Sequence, residues 1–196
     1  MKGEVWVYAE STDRALHEVS LEILSKGREI ADKTKGSLST VLMGKGLIDF
    51  AQEFVDFGTD RVYLLEPPDS NLYPDREMVE VLAGLVREYD PDIFLLGATS
   101  IGTELAPKLA AKLKTGLSAH CIDLDVNEKS DLLQIVPAFG GGVLATIVCP
   151  DQRPQMATIS PGVMRVRKRE GRNGKILRRE IPVSYTHLTL PTNREV

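Results

Sequence analysis

The sequence predicts an α/β domain built on an open parallel sheet flanked by helices, with a small additional antiparallel layer. Three observations carry that prediction. The first hundred residues alternate between short apolar runs and stretches whose apolar residues recur every three to four positions, the strand and helix periods respectively. One run, Asp92-Ile93-Phe94-Leu95-Leu96-Gly97, is apolar on both faces, as a strand covered by helices on both sides requires. After residue 115, four strand-like runs follow with no helix between them. These become added strands or an antiparallel layer packed on the parallel core.

The elements follow in order. Val5-Trp6-Val7-Tyr8 is the first strand. A helix comes next, with Leu16, Val19, Ile23, Leu24, Ile30 and Ala31 close to a 3.6-residue period. Ser37 to Met43 reads as the second strand, ended by Gly44-Lys45-Gly46. Leu47 to Phe57 reads as a short helix closed by Gly58. Arg61 to Leu65 is the third strand, followed by the loop Pro67-Pro68-Asp69-Ser70-Asn71. The next helix sets Met78, Leu82, Leu85, Val86 and Tyr89 on one face and stops at Asp90-Pro91, because a proline disfavours helical geometry in the residue before it. The strand from Asp92 to Gly97 leads to a helix through Leu105, Leu109 and Leu113. If that helix starts near Thr103, Pro107 falls in its first turns and costs little. The later strands are Ile122 to Val126, Leu132 to Val136, Val143 to Val148 and Gln155 to Ile159.

Composition narrows the function. A hydrophobic share of 42% with 27% charged residues is that of a soluble globular domain. Its 196 residues suffice to bury a core without disulfides or metals. Cys121 and Cys149 lie far apart in apolar runs with no C-x-x-C pair, so they read as two buried thiols. No apolar run reaches the length of a membrane span, and the start has no secretory signal shape, so a cytoplasmic protein is expected. Residues 165–180 hold eight Lys or Arg against two Glu. Nucleic-acid binding through this run is disfavoured, because the rest of the chain is acidic and aromatics make up only 6%. The run reads instead as a solvated edge hairpin turning at Gly171-Arg172-Asn173-Gly174. Residues 184–196 lack any structural period and read as a non-native or disordered tail, so nothing is built on His187.

The catalytic inventory is thin. His17 is expected on the exposed side of the first helix. His120 precedes Cys121, but neighbours on a strand point to opposite faces, so a Cys–His pair is geometrically poor. Asp123 and Asp125 share one face of a strand and read as part of a solvated turn. No Walker A loop is present, and Ala9-Glu10-Ser11-Thr12-Asp13 follows the first strand in place of a dinucleotide fingerprint. One segment has the physics of an anion site. Gly97-Ala98-Thr99-Ser100-Ile101-Gly102-Thr103 joins a central strand to a helix. Small residues there admit close approach, hydroxyls can donate or cap, and the helix supplies free N–H groups. The same residues also suit a plain turn capped by its own hydroxyls, and no Lys or Arg lies within the loop.

That segment also opens a family resemblance. Gly97-Ala98-Thr99 leads into Leu105-Ala106-Pro107-Lys108-Leu109-Ala110-Ala111-Lys112-Leu113 and then Thr115-Gly116-Leu117. Pro137-Ala138-Phe139-Gly140-Gly141 forms a second block, and Arg153-Pro154-Gln155-Met156-Ala157-Thr158 with Pro161-Gly162 a third. In this order the three blocks resemble the amino-terminal domain of electron-transfer flavoprotein alpha subunits, over residues 1 to about 183. The family commonly has arginine where this chain has Thr103 and Ser160, so contacts made through those arginines are not carried over.

The resemblance implies a Rossmann-like, adenine-nucleotide hydrolase-like fold over residues 1–164, with 165–183 leading to an FAD-binding domain that this chain lacks. It implies a scaffold without catalytic residues of its own, packed on a beta subunit. The pair accepts electrons from flavin dehydrogenases and holds FAD in the full heterodimer, with none bound to this part. Neither a nucleic acid nor a membrane is an expected partner. The candidate residues for an anion loop or an interface are Gly97, Thr99, Ser100, Gly102, Thr103, Phe139, Gly140, Gly141 and Arg153. The alternative is an AMP- or ATP-binding protein of the same fold that uses the 97–103 loop.

Overall fold

The computed structural model describes residues 3–11, 16–66, 75–169 and 173–180. The loop from Pro67 to Asn71, Gly171 and Arg172 of the expected turn, and the tail 184–196 lie outside the described residues.

Ten strands and four helices are described. β1 (Val5–Ala9), α1 (Glu18–Lys33), β2 (Leu38–Met43), α2 (Ile48–Asp56), β3 (Arg61–Glu66), α3 (Asp75–Tyr89), β4 (Ile93–Gly97) and α4 (Ser100–Leu113) alternate as expected. β5 (Leu117–Cys121), β6 (Asp123–Val126), β7 (Leu132–Ala138), β8 (Val143–Ile147), β9 (Gln155–Ile159) and β10 (Lys175–Glu180) follow. Seven strands form a parallel sheet in the order β10-β3-β2-β1-β4-β9-β5. The other three form an antiparallel sheet in the order β6-β7-β8.

The period of two along β1 builds both layers. Val5, Val7 and Ala9 face α1 and α2, meeting Ile23, Leu24 and Phe54. Trp6 and Tyr8 face α3 and α4, meeting Leu82, Leu105 and Leu109. Each fully buried side chain of this size contributes about 2–3 kcal/mol through lost apolar exposure. Two charged groups inside are held by several partners. The Glu4 carboxylate accepts from Trp6 Nε1 at 2.9 Å, Ser39 Oγ at 3.0 Å and Arg61 Nη1 at 3.1 Å. Arg28 is 1% exposed; it pairs with Asp32 within α1 at 2.8 Å and ties α1 to the start of β3 through Asp60 at 2.7 Å.

Three details depart from expectation, and one decides between two. Gln155–Ile159, expected as an added strand or in the antiparallel layer, is an added strand, inserted in parallel between β4 and β5. Leu117–Cys121, given no element from the sequence, is the strand at one edge of the large sheet. α4 starts at Ser100 and not near Thr103, which places Pro107 inside the helix, where it can donate no bond to the preceding turn. The basic run is not a hairpin. Lys175–Glu180 pairs in parallel with β3, so the sheet extends past residue 164. Residues 165–169 form no strand; they lie across α1 and α2.

The antiparallel sheet is moored by charge and by apolar contact. Lys26 and Lys33 of α1 reach Asp123 at 2.7 Å and Asp125 at 2.5 Å. The hydrogen bond from Lys33 holds the Asp125 carboxyl below its usual range. Leu124 and Leu132 are fully buried in the core below. Asp123 and Asp125 therefore dock one layer on another. They do not form a free turn.

Candidate functional site

The expected loop stands at the carboxyl end of β4, beside the end of β1. β1 lies between β2 and β4, so the chain's direction of winding reverses here. Open sheets bind ligands at such reversals. Thr99 has extended backbone angles and caps α4, its Oγ1 accepting from Gly102 N at 3.0 Å. The same hydroxyl donates to the Glu10 carboxylate, with oxygens at 2.8 and 2.9 Å. Gly97 and Gly102 are there for close packing. A Cβ on Gly97 would lie 2.7 Å from Val19 Cγ1, and one on Gly102 1.9 Å from the Gly97 carbonyl oxygen. Ser100 and Thr103 are exposed on the first turn of α4.

Glu10 was absent from the candidate residues, yet it defines this end of the sheet. It is 5% exposed. Its Oε1 lies 3.4 Å from where a Cβ of Gly97 or of Gly102 would stand. Burial pushes its carboxyl above the usual carboxylate range, opposed by the Thr99 hydroxyl and by His17. His17 is not on an exposed helical face. It precedes α1, its backbone N–H donates to the Glu10 carbonyl at 2.9 Å, and its Nδ1 is buried without a hydrogen-bond partner. The sequence signal was a carboxylate directly after the first strand.

A pH prediction follows from Glu10. Its raised folded pKa means that the neutral form is favoured in the fold. The stability it contributes is full below the unfolded pKa and is lost as pH rises through the folded value. In Glu10→Gln this dependence disappears. The variant's stability relative to the parent should therefore fall as pH is lowered from about 7 to about 4. Urea titrations at both pH values check this, and an unchanged or rising difference contradicts it.

The other candidates lie elsewhere. Arg153 sits at the amino ends of the strands, next to Gln155 of β9. Its guanidinium is 3.3 Å from Asp131 and 3.9 Å from Asp92, and it donates to the carbonyls of Pro150 and Gln152. It joins the antiparallel sheet to the large one. Phe139, Gly140 and Gly141 form a tight 3-10 turn at the tip of the β7–β8 arm, all three at positive φ. Phe139 is 93% exposed, and Val143 and Leu144 beside it are 53% and 59% exposed. The nine residues thus divide among three places: the Gly97–Thr103 loop, the arm tip and the opposite end of the sheet.

Nucleophile chemistry finds no support among the described residues. Burial pushes the Cys121 thiol up to about 11, which keeps it protonated. His120 is exposed, with φ of 56°. No group of three or more His, Cys, Asp or Glu among the described residues could hold a metal ion. No described helix is long and apolar enough to cross a membrane.

Comparison with known proteins fits this geometry. The model of the electron transfer flavoprotein domain matches residues 5–184. The chain belongs to this family. The electron transfer flavoprotein subunit alpha of Thermoanaerobacterium thermosaccharolyticum is 40% identical over 186 residues, covering 94% of this chain and 56% of that protein. The subunit alpha of Clostridium acetobutylicum is 44% identical over 160 residues, covering 81% and 48%. The LctC subunit of the lactate dehydrogenase (NAD(+),ferredoxin) of Acetobacterium woodii is 35% identical over 155 residues, covering 79% and 37%. The chain spans about half the length of the subunit alpha relatives it matches. The Gly97–Thr103 loop does not fit the pyrophosphate of a flavin dinucleotide: the Glu10 carboxyl group already fills the space against both glycines and takes the Thr99 hydroxyl.

Proposed function

We propose that the chain is the amino-terminal scaffold domain of an electron-transfer flavoprotein alpha subunit, without catalytic residues of its own. It supports electron transfer from flavin dehydrogenases through a heterodimer with a beta subunit, in the cytoplasm. FAD is held by residues outside this chain. The observation that carries the reading is the β7–β8 arm. β8 ends the three-stranded sheet with one side unpaired among the described residues, and Phe139, Val143, Leu144, Ile147 and Val148 are exposed along it. An exposed apolar edge strand is a template for pairing with another chain. Large exposed side chains of this kind supply the anchors of protein interfaces.

The test is co-expression with a beta subunit of the family, read by size-exclusion chromatography and the visible spectrum. The parent should co-elute with the beta subunit. The double variant Phe139→Asp/Leu144→Asp should bind at least about tenfold more weakly, as the loss of interface anchors implies, while its melting temperature stays close to the parent's. The isolated chain should show no flavin absorbance after incubation with FAD. Unimpaired co-elution of the variant would remove the arm from the interface, and stoichiometric flavin on the isolated chain would sink the scaffold reading.

A further inference from the structure

The side of the sheet that faces α3 gathers the chain's single tryptophan and two of its tyrosines. Trp6 of β1 and Tyr63 of β3 are separated by β2, which sets Ser39 opposite Trp6. A small side chain there lets the two rings meet over the intervening strand, with centroids 5.0 Å apart and planes tilted by 39°. Tyr89, the last residue of α3, closes on both, 4.8 Å from Tyr63 and 5.8 Å from Trp6. Phe94 of β4 meets Trp6 edge-on at 5.9 Å. These distances are those of ordinary aromatic packing. Packing alone does not call for the polar groups at the two ends of the cluster.

At the buried end, Trp6 donates its indole N–H to the Glu4 carboxylate at 2.9 Å, and both residues are buried. At the outer end, Arg179 donates to the two Glu88 oxygens at 2.7 and 2.8 Å, and also to the Tyr89 hydroxyl. These Arg179 bonds first, and the Tyr89 hydroxyl after them, hold the Glu88 carboxyl below its usual range. The Glu88 side chain is 51% exposed. Each end therefore sets a ring N–H or O–H against a carboxylate. Indole and phenol become strong acids on losing an electron, so a carboxylate at that proton makes the ring easier to oxidise. The other two phenols on this side differ. Burial pushes Tyr63 up to about 12, and its hydroxyl faces the Arg61 guanidinium, a donor. Burial also pushes Tyr8 up, and its hydroxyl donates to the Met78 sulfur at 3.7 Å. Both hold their protons.

We propose that Trp6, Tyr63 and Tyr89 form a conduit that carries an oxidising equivalent from the core to the surface, with Tyr89 as its outlet. The oxidant is a one-electron acceptor of the oxygen-radical class. It takes one electron from Trp6, and the indole proton moves to Glu4. Tyr89 then gives an electron to Trp6, with the Tyr63 ring bridging the two. Glu4 returns the proton to Trp6 Nε1, and the Tyr89 phenolic proton passes to Glu88. In balance, the oxidant gains one electron, Tyr89 becomes a neutral tyrosyl radical and Glu88 is protonated. Trp6 and Glu4 end as they began. Arg179 is a positioning residue that holds Tyr89 and Glu88 together. The inference does not depend on the partner or cofactor proposed above.

The experiment is flash photolysis of the whole chain. Light at the long-wavelength edge of indole absorption excites Trp6 and not tyrosine, and a cobalt(III) ammine in solution carries the lost electron away. In the parent, indole-radical absorbance should give way to tyrosyl absorbance. A nitroso spin trap should mark Tyr89, located by mass spectrometry. Tyr89→Phe keeps the ring and removes the outlet, so the indole radical should decay at least about tenfold more slowly. Glu88→Gln keeps both rings and removes the proton acceptor. It should also lengthen the indole-radical lifetime, while its melting temperature stays close to the parent's. An indole-radical lifetime equal to the parent's in either variant overturns the conduit. So does trapping at another tyrosine in place of Tyr89.

Discussion

Gly102→Ala is expected to destabilise the chain by about 3 kcal/mol or more, a large cost for one methyl group. Gly102 lies in the first turn of α4, where alanine would ordinarily be the better residue. The cost comes from space alone. The added Cβ would stand 1.9 Å from the Gly97 carbonyl oxygen, a backbone atom that no rotamer change can move. Either α4 lifts from β4, or Thr99 loses its grip on Glu10. Gly84 in α3 is the control, since a Cβ there meets nothing within 4 Å. Gly84→Ala should stabilise by up to about 1 kcal/mol. Thermal melts of both variants read the contrast, and a loss below about 1 kcal/mol for Gly102→Ala would contradict the packing argument.

The second large effect is expected at Asp60. Its Oδ2 accepts from Arg28 Nη1 at 2.7 Å and from Leu38 N at 2.9 Å. Arg28 is 1% exposed, and its Nε is buried without a hydrogen-bond partner. Asp60→Ala leaves that cation buried with less than its full set of anions, and should cost about 3 kcal/mol. The cost arises chiefly from the charge left behind. Arg28→Met/Asp60→Ala should therefore be more stable than Asp60→Ala alone, although it carries one more substitution. Urea unfolding of the parent, both single variants and the double variant gives the coupling. A double variant no better than Asp60→Ala would mean that Arg28 acts through its packing and not its charge.

Much of the fold was legible because β1 to α4 follow two clean periods, and β4 is apolar on both faces. The later strands were legible as strands but not as partners. Nothing in Gln155–Ile159 says that it enters the parallel sheet, because the usual helix between parallel strands is replaced by an antiparallel layer. Leu117–Cys121 escaped notice because Ser118, Ala119 and His120 break the alternation, as an edge strand tolerates. The basic run suggested a local turn, while its partners Ser25 and Glu29 lie about 140 residues earlier in the chain. Composition cannot reveal such a pairing. At the candidate loop, the glycines and Thr99 were legible from small-residue chemistry. Glu10 was not, because its role depends on β1 and β4 being neighbours, which only the assembled sheet fixes.

The placement of β9 bears on the order in which the chain can take shape. β4 and β5 are joined by α4 but do not touch as strands; the slot between them waits for Gln155–Ile159. As the polypeptide leaves the ribosome, the half of the sheet formed by β1 to β3 can close early. β4 must keep one edge bare until the three antiparallel strands have been made. Contacts of such long sequence separation slow folding, and a bare inner edge is an invitation to pair wrongly. A nascent chain halted before Gln155 would therefore expose, in the middle of its own sheet, the kind of edge that a holding chaperone binds.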